Sequence, residues 1–504
     1  MKSIISKIES NKFILIIYFI GLFLRLHDLG GESFWFDEVY SIDMARLSLA
    51  GMVKAIINES DNNPPLFYTI MHFWIKLFGI SEFAFRLPSA IISSFSVLII
   101  YKLGKLLFNK NIGLFAALLL ATSVLNITYS QEARAYSSMA FLALLSIYLF
   151  FQLIATGKRS YTIGYIVASI LLIYMHYYGL FVIAALNTYY FIILIINKKV
   201  GKLGFKRWAL LQLVLLISYL PEINFIVLDI ISIHKGFWIE VPKIKEMLYI
   251  YKAYTDSRTL YLMFTLLSII GIINYSKING FKSFMDSLIS VEGYSRQLCL
   301  SNIERISILF IIYIYLNIVP FIISHIFLPI YTLEYTIVAS SVYYLLVAKG
   351  IDNIGNKKLV VLNNSALFTN ICIVSLILLI SLVHIQKYYH ATQKHPWREA
   401  IEYIDTNADD EDFVMIYPPF ELRSAKFYNK RNELKISPLS HESELNFNTG
   451  GKRVWVVISD LKHLGDQINK ESLVKYYNLE SEKDFGKLGK LQVYLLTDNP
   501  GRNP

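Results

Sequence analysis

The chain has 504 residues, 48 of them Lys or Arg and 38 Asp or Glu, for a formal net charge of +10, with 55% hydrophobic and 17% charged residues. Soluble chains carry about 25% charge, which argues against a single large soluble enzyme. Residues 387–504 hold 17 basic and 18 acidic groups, whereas residues 1–386 hold 31 and 20, so the basic excess belongs to the apolar part. That points to positive loops between membrane spans and away from a nucleic-acid partner.

Taken in order, apolar runs of spanning character fall near 12–27, 87–108, 111–127, 136–156, 161–176, 178–197, 208–229, 259–275, 306–324, 333–349 and 365–386. About eleven transmembrane helices are therefore expected. No signal-peptidase site follows the first run, which reads as a retained span. The loops alternate in charge. Those carrying Lys102, Lys105, Lys158, Arg159, Lys198, Lys202, Arg207, Lys357 and Lys358, together with the N-terminus, total 20 basic and 5 acidic residues. The other face has 11 and 15. The contrast places the N-terminus in the cytoplasm, with residues 28–86 and the C-terminal part outside. Pro64 to Gly79 is apolar, but a span there would invert every later loop, so it reads as an amphipathic helix in the membrane-lipid interface.

The expected fold is thus an α-helical polytopic membrane domain, residues 1–386, with a first outer loop at 28–86, followed by a small extracytoplasmic α/β domain at 387–504. In the latter, a helix near Trp397–Asp405 precedes strand-like Phe413–Tyr417, Val454–Ser459 and Leu491–Leu496. Acceptor binding and capping of the outer face are both open for it. Cys299, in a polar loop, and Cys372, in an apolar run, offer no disulfide framework.

Polar residues beside a membrane carry the functional information. Asp37 and Glu38 follow Trp35-Phe36 at an expected helix start, which suits a general base held by packing or an acidic first turn facing the helix dipole. Asp61-Asn62-Asn63-Pro64-Pro65 makes a rigid turn. Arg25 ends the first span and Arg86 opens the second, at a height suited to clamping a lipid phosphate or to snorkelling. Gln131-Glu132-Ala133-Arg134-Ala135-Tyr136 fills a short outer turn, a substrate contact or a pair of helix caps. His176 and His234 lack metal-ligand spacing, so packed histidines compete with ligands. The 35 Tyr, 33 Phe and 6 Trp exceed what spans alone need. Interfacial belts account for most of them, and sugar or prenyl contacts for the rest.

Several of these motifs occur in a familiar order. Arg25-Leu26 is followed by Phe36-Asp37-Glu38, then by Asn63-Pro64-Pro65-Leu66-Phe67-Tyr68. Phe78-Gly79, Ser81-Glu82 and Arg86-Leu87-Pro88-Ser89-Ala90 come next, before Gln131 to Tyr136. The order resembles the polytopic GT-C glycosyltransferases related to protein O-mannosyltransferases and the lipid A aminoarabinose transferase. His176-Tyr177-Tyr178-Gly179 and His395-Pro396-Trp397-Arg398-Glu399-Ala400 echo it further. The resemblance implies a polyprenyl-phosphate-linked monosaccharide donor used outside the cytoplasm, with Asp37 and Glu38 as the catalytic acidic pair. It implies substrate contacts at Arg134, Arg86, Arg25, Glu132, Tyr136, Asp61, Asn63 and His176.

Three positions depart from the family. Asn63 replaces the His that precedes Pro-Pro in mannosyltransferases, Glu334 rather than Arg precedes Tyr335, and Ser137 and Ser138 stand where some relatives carry Asp. The sugar is therefore open, as is a divalent metal, and no other cofactor is implied. The acceptor is a glycan, a lipid or a protein side chain. A sugar phosphate leaves without protonation, so one carboxylate base is enough for an inverting displacement. The alternative from another class is a multi-span transporter of lipid or glycan, which buried mid-span charges would favour. A membrane-anchored binding protein is a further alternative.

Overall fold

The computed structural model describes residues 2–59, 63–235, 239–273, 302–355, 366–431, 433–445, 449–459, 468–487 and 490–498. Asp61, Trp238 and Cys299 lie outside them, as does the side chain of His234. In chain order the helices begin α1 (Lys2–Leu26), α2 (Phe36–Arg46), α3 (Leu49–Glu59), α4 (Leu66–Phe78) and α5 (Glu82–Leu107). There follow α6 (Lys110–Thr122), α7 (Val124–Ser130), α8 (Tyr136–Thr156), α9 (Arg159–Met175), α10 (Gly179–Asn197), α11 (Phe205–Lys235), α12 (Ile244–Ala253) and α13 (Arg258–Ile272). Helix α14 (Asn302–Tyr313) runs through a π-helical turn, Ile314–Ile318, into α15 (Val319–Ile326), and α16 (Ile337–Gly355) and α17 (Ala366–His390) complete the apolar part.

Among the described residues, seven helices are long and apolar enough to cross a membrane, or eight if α6 and α7 form one broken span. The chain is a multi-pass membrane protein. Helices α9 and α13 lie where spans are expected but have 17 and 15 residues, short of the ~20 that cross unaided. The Pro64–Gly79 segment forms the 13-residue helix α4.

Two compact units are present: Met1–His27, Leu47–Ile70 and Leu87–Ile385 in the first, and Asp28–Arg46, Met71–Arg86 and Gln386–Pro504 in the second. In the first unit the apolar helices pack through small residues. A Cβ on Gly350 of α16 would lie 1.9 Å from the Leu267 carbonyl oxygen of α13, and one on Gly271 2.4 Å from that of Leu346, so only glycine permits this backbone approach. The α6–α7 pair bends by 59°. At the bend Ser123 is extended and its hydroxyl accepts the Asn126 N–H. The carboxylate of Asp256 accepts the N–H groups of Val124 (3.2 Å) and Leu125 (3.4 Å), satisfying donors that a broken helix exposes.

In the second unit α18 (Trp397–Asn407) precedes β1 (Phe413–Tyr417), α19 (Leu422–Tyr428), β2 (Lys435–Pro438), β3 (Val454–Ser459), α20 (Lys470–Tyr476), β4 (Tyr477–Phe485) and β5 (Leu491–Asp498). The sheet order is β2-β1-β3-β5-β4, with β1 parallel to β2 and β3, and β5 antiparallel to β3 and β4. Alternate residues face opposite sides. Val414, Ile416, Trp455, Val457 and Val493 pack against Trp397, Ile401 and Ile404 of α18. Met415, Tyr417, Val456, Ile458, Tyr494 and Leu496 meet Leu473 of α20 on the other face. The three apolar strands read from the sequence are present. Edge strands β2 and β4 are additional, one ending in Pro438 and the other rich in charge, features that protect sheet edges and mask the strand pattern.

Candidate active site

Helix α2 opens with Asp37 and Glu38 in its first turn, where the helix dipole favours acids. Their environments differ. Glu38 is fully buried, and Arg86 grips it with Nε on Oε1 (2.8 Å) and Nη2 on Oε2 (2.7 Å). Lys394 adds a third contact to Oε2 at 3.2 Å. The rest of the Arg86 fork donates to the backbone carbonyls of Leu29, Glu32 and Ser33, and Phe34 lies under the guanidinium at 5.2 Å. Arg86 therefore neither snorkels nor faces a headgroup: at 1% exposure it ties the entry to α2 onto the start of α5. Asp37 is half-buried, and its backbone carbonyl accepts the Ser41 hydroxyl.

The same unit surrounds this cluster with further polar contacts. Arg398 meets Glu82 at 3.0 Å, and Tyr428 donates to Glu82 at 3.0 Å while accepting the Phe34 N–H at 2.6 Å. Ser33 donates to Glu399 at 2.8 Å. The Glu32 carboxylate accepts the Gln393 N–H, yet burial outweighs this bond and raises its pKa.

In the membrane unit a second polar group gathers around the turn after α7. Arg134 is 8% exposed and lies over the Tyr136 ring at 5.9 Å. His176, at the end of α9, is 4% exposed, with Tyr335 at 4.6 Å, Tyr136 at 6.2 Å and Tyr178 at 6.3 Å between ring centroids. Its Nδ1 accepts the Tyr178 N–H at 3.1 Å, which places the imidazole proton on Nε2. With Nδ1 accepting, the ring is the neutral imidazole, buried beside Arg134. Nε2 is buried without a hydrogen-bond partner among the described residues. Glu132 is buried in the same turn, and Gln131 donates to the Arg25 and His27 carbonyls.

Arg25 takes a structural place. It is fully buried, with donors on Ser93 (2.9 Å) and on the carbonyls of Gly21, Ala121 and Leu120. Asn63 sits in the bend before α4. Lys394 and Asp256 are polar participants that the sequence does not single out, whereas Tyr178 and Tyr335 appear there within family motifs. Among the described residues no three His, Cys, Asp or Glu side chains are grouped to hold a metal ion.

The chain is thus a polytopic helical protein with a small α/β unit and an acidic loop anchored on a buried arginine. Residues 62–223 match the family model of dolichyl-phosphate-mannose-protein mannosyltransferases. An uncharacterized protein of Aquifex aeolicus is 25% identical over 203 residues, 40% of each chain, so the match spans less than half of that relative. Among solved structures, ArnT from Cupriavidus metallidurans bound to undecaprenyl phosphate superposes with a TM-score of 0.50 at 12% identity, over 96% of this chain and 98% of that one. The archaeal oligosaccharyltransferase AglB from Archaeoglobus fulgidus, in complex with an inhibitory peptide and a dolichol-phosphate, gives 0.52 at 12% identity, over 99% of this chain and 75% of that one. In fold and in sequence the chain resembles GT-C glycosyltransferases of the protein O-mannosyltransferase and ArnT type.

Proposed function

We propose that the protein transfers a monosaccharide from a polyprenyl-phosphate donor to an acceptor hydroxyl on the extracytoplasmic side of the cell membrane, with the N-terminus in the cytoplasm. The observation that carries this reading is the acidic pair in the first turn of α2. Glu38, held by Arg86 and Lys394, fixes that turn, and Asp37 stands half-buried beside it. Asp37 removes the acceptor proton as the acceptor oxygen attacks the anomeric carbon. The bond from that carbon to the phosphate oxygen breaks, and the polyprenyl phosphate leaves with the electron pair, inverting the anomeric configuration.

Arg134, with Tyr136, Glu132 and the Nε2–H of His176, forms the donor side in this reading. A planar guanidinium and a neutral imidazole donor suit the charge that grows on the departing phosphate. Asn63, in the bend before α4, contacts substrate in this reading, with Asp61 close to it in sequence. Arg25 and Arg86 act through the side chains and carbonyls they hold. The test is whether purified protein consumes a polyprenyl-phosphate sugar in the presence of membrane extract, and whether Asp37→Asn stops it. No consumption by wild type across hexosyl and pentosyl donors would reject the reading.

A further inference from the structure

A groove of about 470 Å³ runs between α2 and the segment Pro419–Phe427, wholly within the second unit. Arg46, Arg423 and Lys426 line it, with Asp43 as the acidic group and Phe420 and Phe427 as apolar walls. Its electrostatics are one-sided. Arg46 and Arg423 share Asp43 at 3.7 and 3.4 Å, ion-pair separations too long for good hydrogen bonds. Among the described residues Lys426 has no ion-pair or hydrogen-bond partner. Both guanidinium groups lie over rings instead, Arg46 over Phe427 at 5.6 Å and Arg423 over Tyr40 at 4.8 Å. Three cations thus present many N–H donors to one concave space against a single carboxylate. Phe420, 42% exposed, supplies a flat face at its edge.

We infer that this groove is a binding subsite for an acidic glycan, one carrying a phosphate or a uronate carboxylate, and that such a glycan is the acceptor. Guanidinium forks recognise either anion through paired N–H bonds, and the aromatic walls suit the apolar face of a sugar ring. The position fits an acceptor because the groove is built on the helix that presents Asp37. At 1.5 Å per residue, Asp43 and Arg46 lie about 9 and 14 Å along α2 from Asp37. That offset separates the reacting hydroxyl from the recognised charge, as in a substrate longer than one sugar. A bare lipid headgroup needs no aromatic wall, so a glycan is the better occupant. The acceptor assignment rests on the glycosyl-transfer reading, whereas the binding site stands independently of it.

Binding to the full-length protein in neutral detergent tests this without turnover. The probes are glucose 6-phosphate, galacturonate, glucose, inorganic phosphate and phosphatidylglycerol vesicles, measured by saturation-transfer NMR and, for the vesicles, by competition. Glucose 6-phosphate or galacturonate should bind at least about ten-fold tighter than glucose, and glucose 6-phosphate tighter than inorganic phosphate. Arg423→Gln and Lys426→Gln should each weaken binding about two- to five-fold, the range for partly exposed charge contacts. Asp43→Asn should strengthen it. Polyprenyl-phosphate binding should be unchanged in all three, and thermal shift should confirm folding. The inference is overturned if acidic and neutral sugars bind alike, if the variants leave binding unaltered, or if only vesicles compete through these residues. Acidic-sugar binding in a protein that consumes no lipid-linked sugar would uphold the groove and reject the transferase reading.

Discussion

Asp37 and Glu38 are adjacent and both acidic, yet the structure predicts opposite consequences for their amides. In Glu38→Gln the side chain keeps its shape, but the charge facing Arg86 Nε (2.8 Å), Arg86 Nη2 (2.7 Å) and Lys394 Nζ (3.2 Å) is lost. Removing one partner of a buried ion pair costs about 3–5 kcal/mol, because the remaining charge stays buried without compensation. Arg86 retains three backbone carbonyls and Gln retains one acceptor oxygen, so a value near the lower end, about 3 kcal/mol, is expected. Asp37→Asn, at a half-buried position, should change stability by no more than about 0.5 kcal/mol. Turnover should instead fall by about 10²–10⁴, the contribution of a positioned base. The assay pairs thermal unfolding in detergent with donor consumption, both on purified protein. Glu38→Gln should show a clearly lower Tm and lose activity through misfolding, with recovery at low temperature. Asp37→Asn should be inactive at an unchanged Tm. A Glu38→Gln protein that is stable but dead, beside an Asp37→Asn protein within a few-fold of wild type, would reverse the assignment.

Other outcomes follow from the polar groups of the membrane unit. Arg134→Lys should lower kcat/KM roughly ten- to a hundred-fold at unchanged Tm, since a point charge does not reproduce the planar fork; full activity would make Arg134 a helix cap. His176→Phe should weaken polyprenyl-phosphate binding about ten-fold, while His176→Gln, which retains an N–H donor near Nε2, should bind more nearly like wild type; equal binding by all three would remove His176 from the site. Burial raises Asp256 to about 7 despite its two backbone hydrogen bonds, with Tyr344 facing it. Its folded pKa exceeds the unfolded value near 4, so its contribution is present at low pH and lost as pH rises from about 4 to 7. Stability should fall through that window in wild type and less steeply in Asp256→Asn; parallel Tm profiles would show that the carboxyl does not titrate there. Single cysteines at Asn63 and Ser443 should react with an impermeant reagent in intact cells and one at Lys202 should not; the opposite pattern would invert the proposed topology.

The sequence reveals most where signals are local. Hydropathy marks the long helices, and short continuous apolar runs mark β1, β3 and β5, which are buried on both faces. It reveals least where a residue's role depends on a distant partner. Arg25, Arg86 and Arg134 all read as arginines at the edge of an apolar run. Ser93 and the carbonyls of Leu120 and Ala121 consume Arg25, while Glu38 and three loop carbonyls consume Arg86. Lys394, 356 residues after Glu38 and just before the His395–Ala400 motif, completes that cluster without belonging to it. The Glu38–Arg86 spacing is equally hidden, because nothing local to either residue specifies the other. Burial, rather than residue type, decides such cases: an arginine at the hydrocarbon edge must find acceptors in lipid, water or protein, and only folding selects among them. The donor-side reading therefore rests on Arg134 and His176, where the aromatic cage and the unpartnered Nε2–H coincide, and not on the two arginines whose positions in the sequence look most like headgroup clamps.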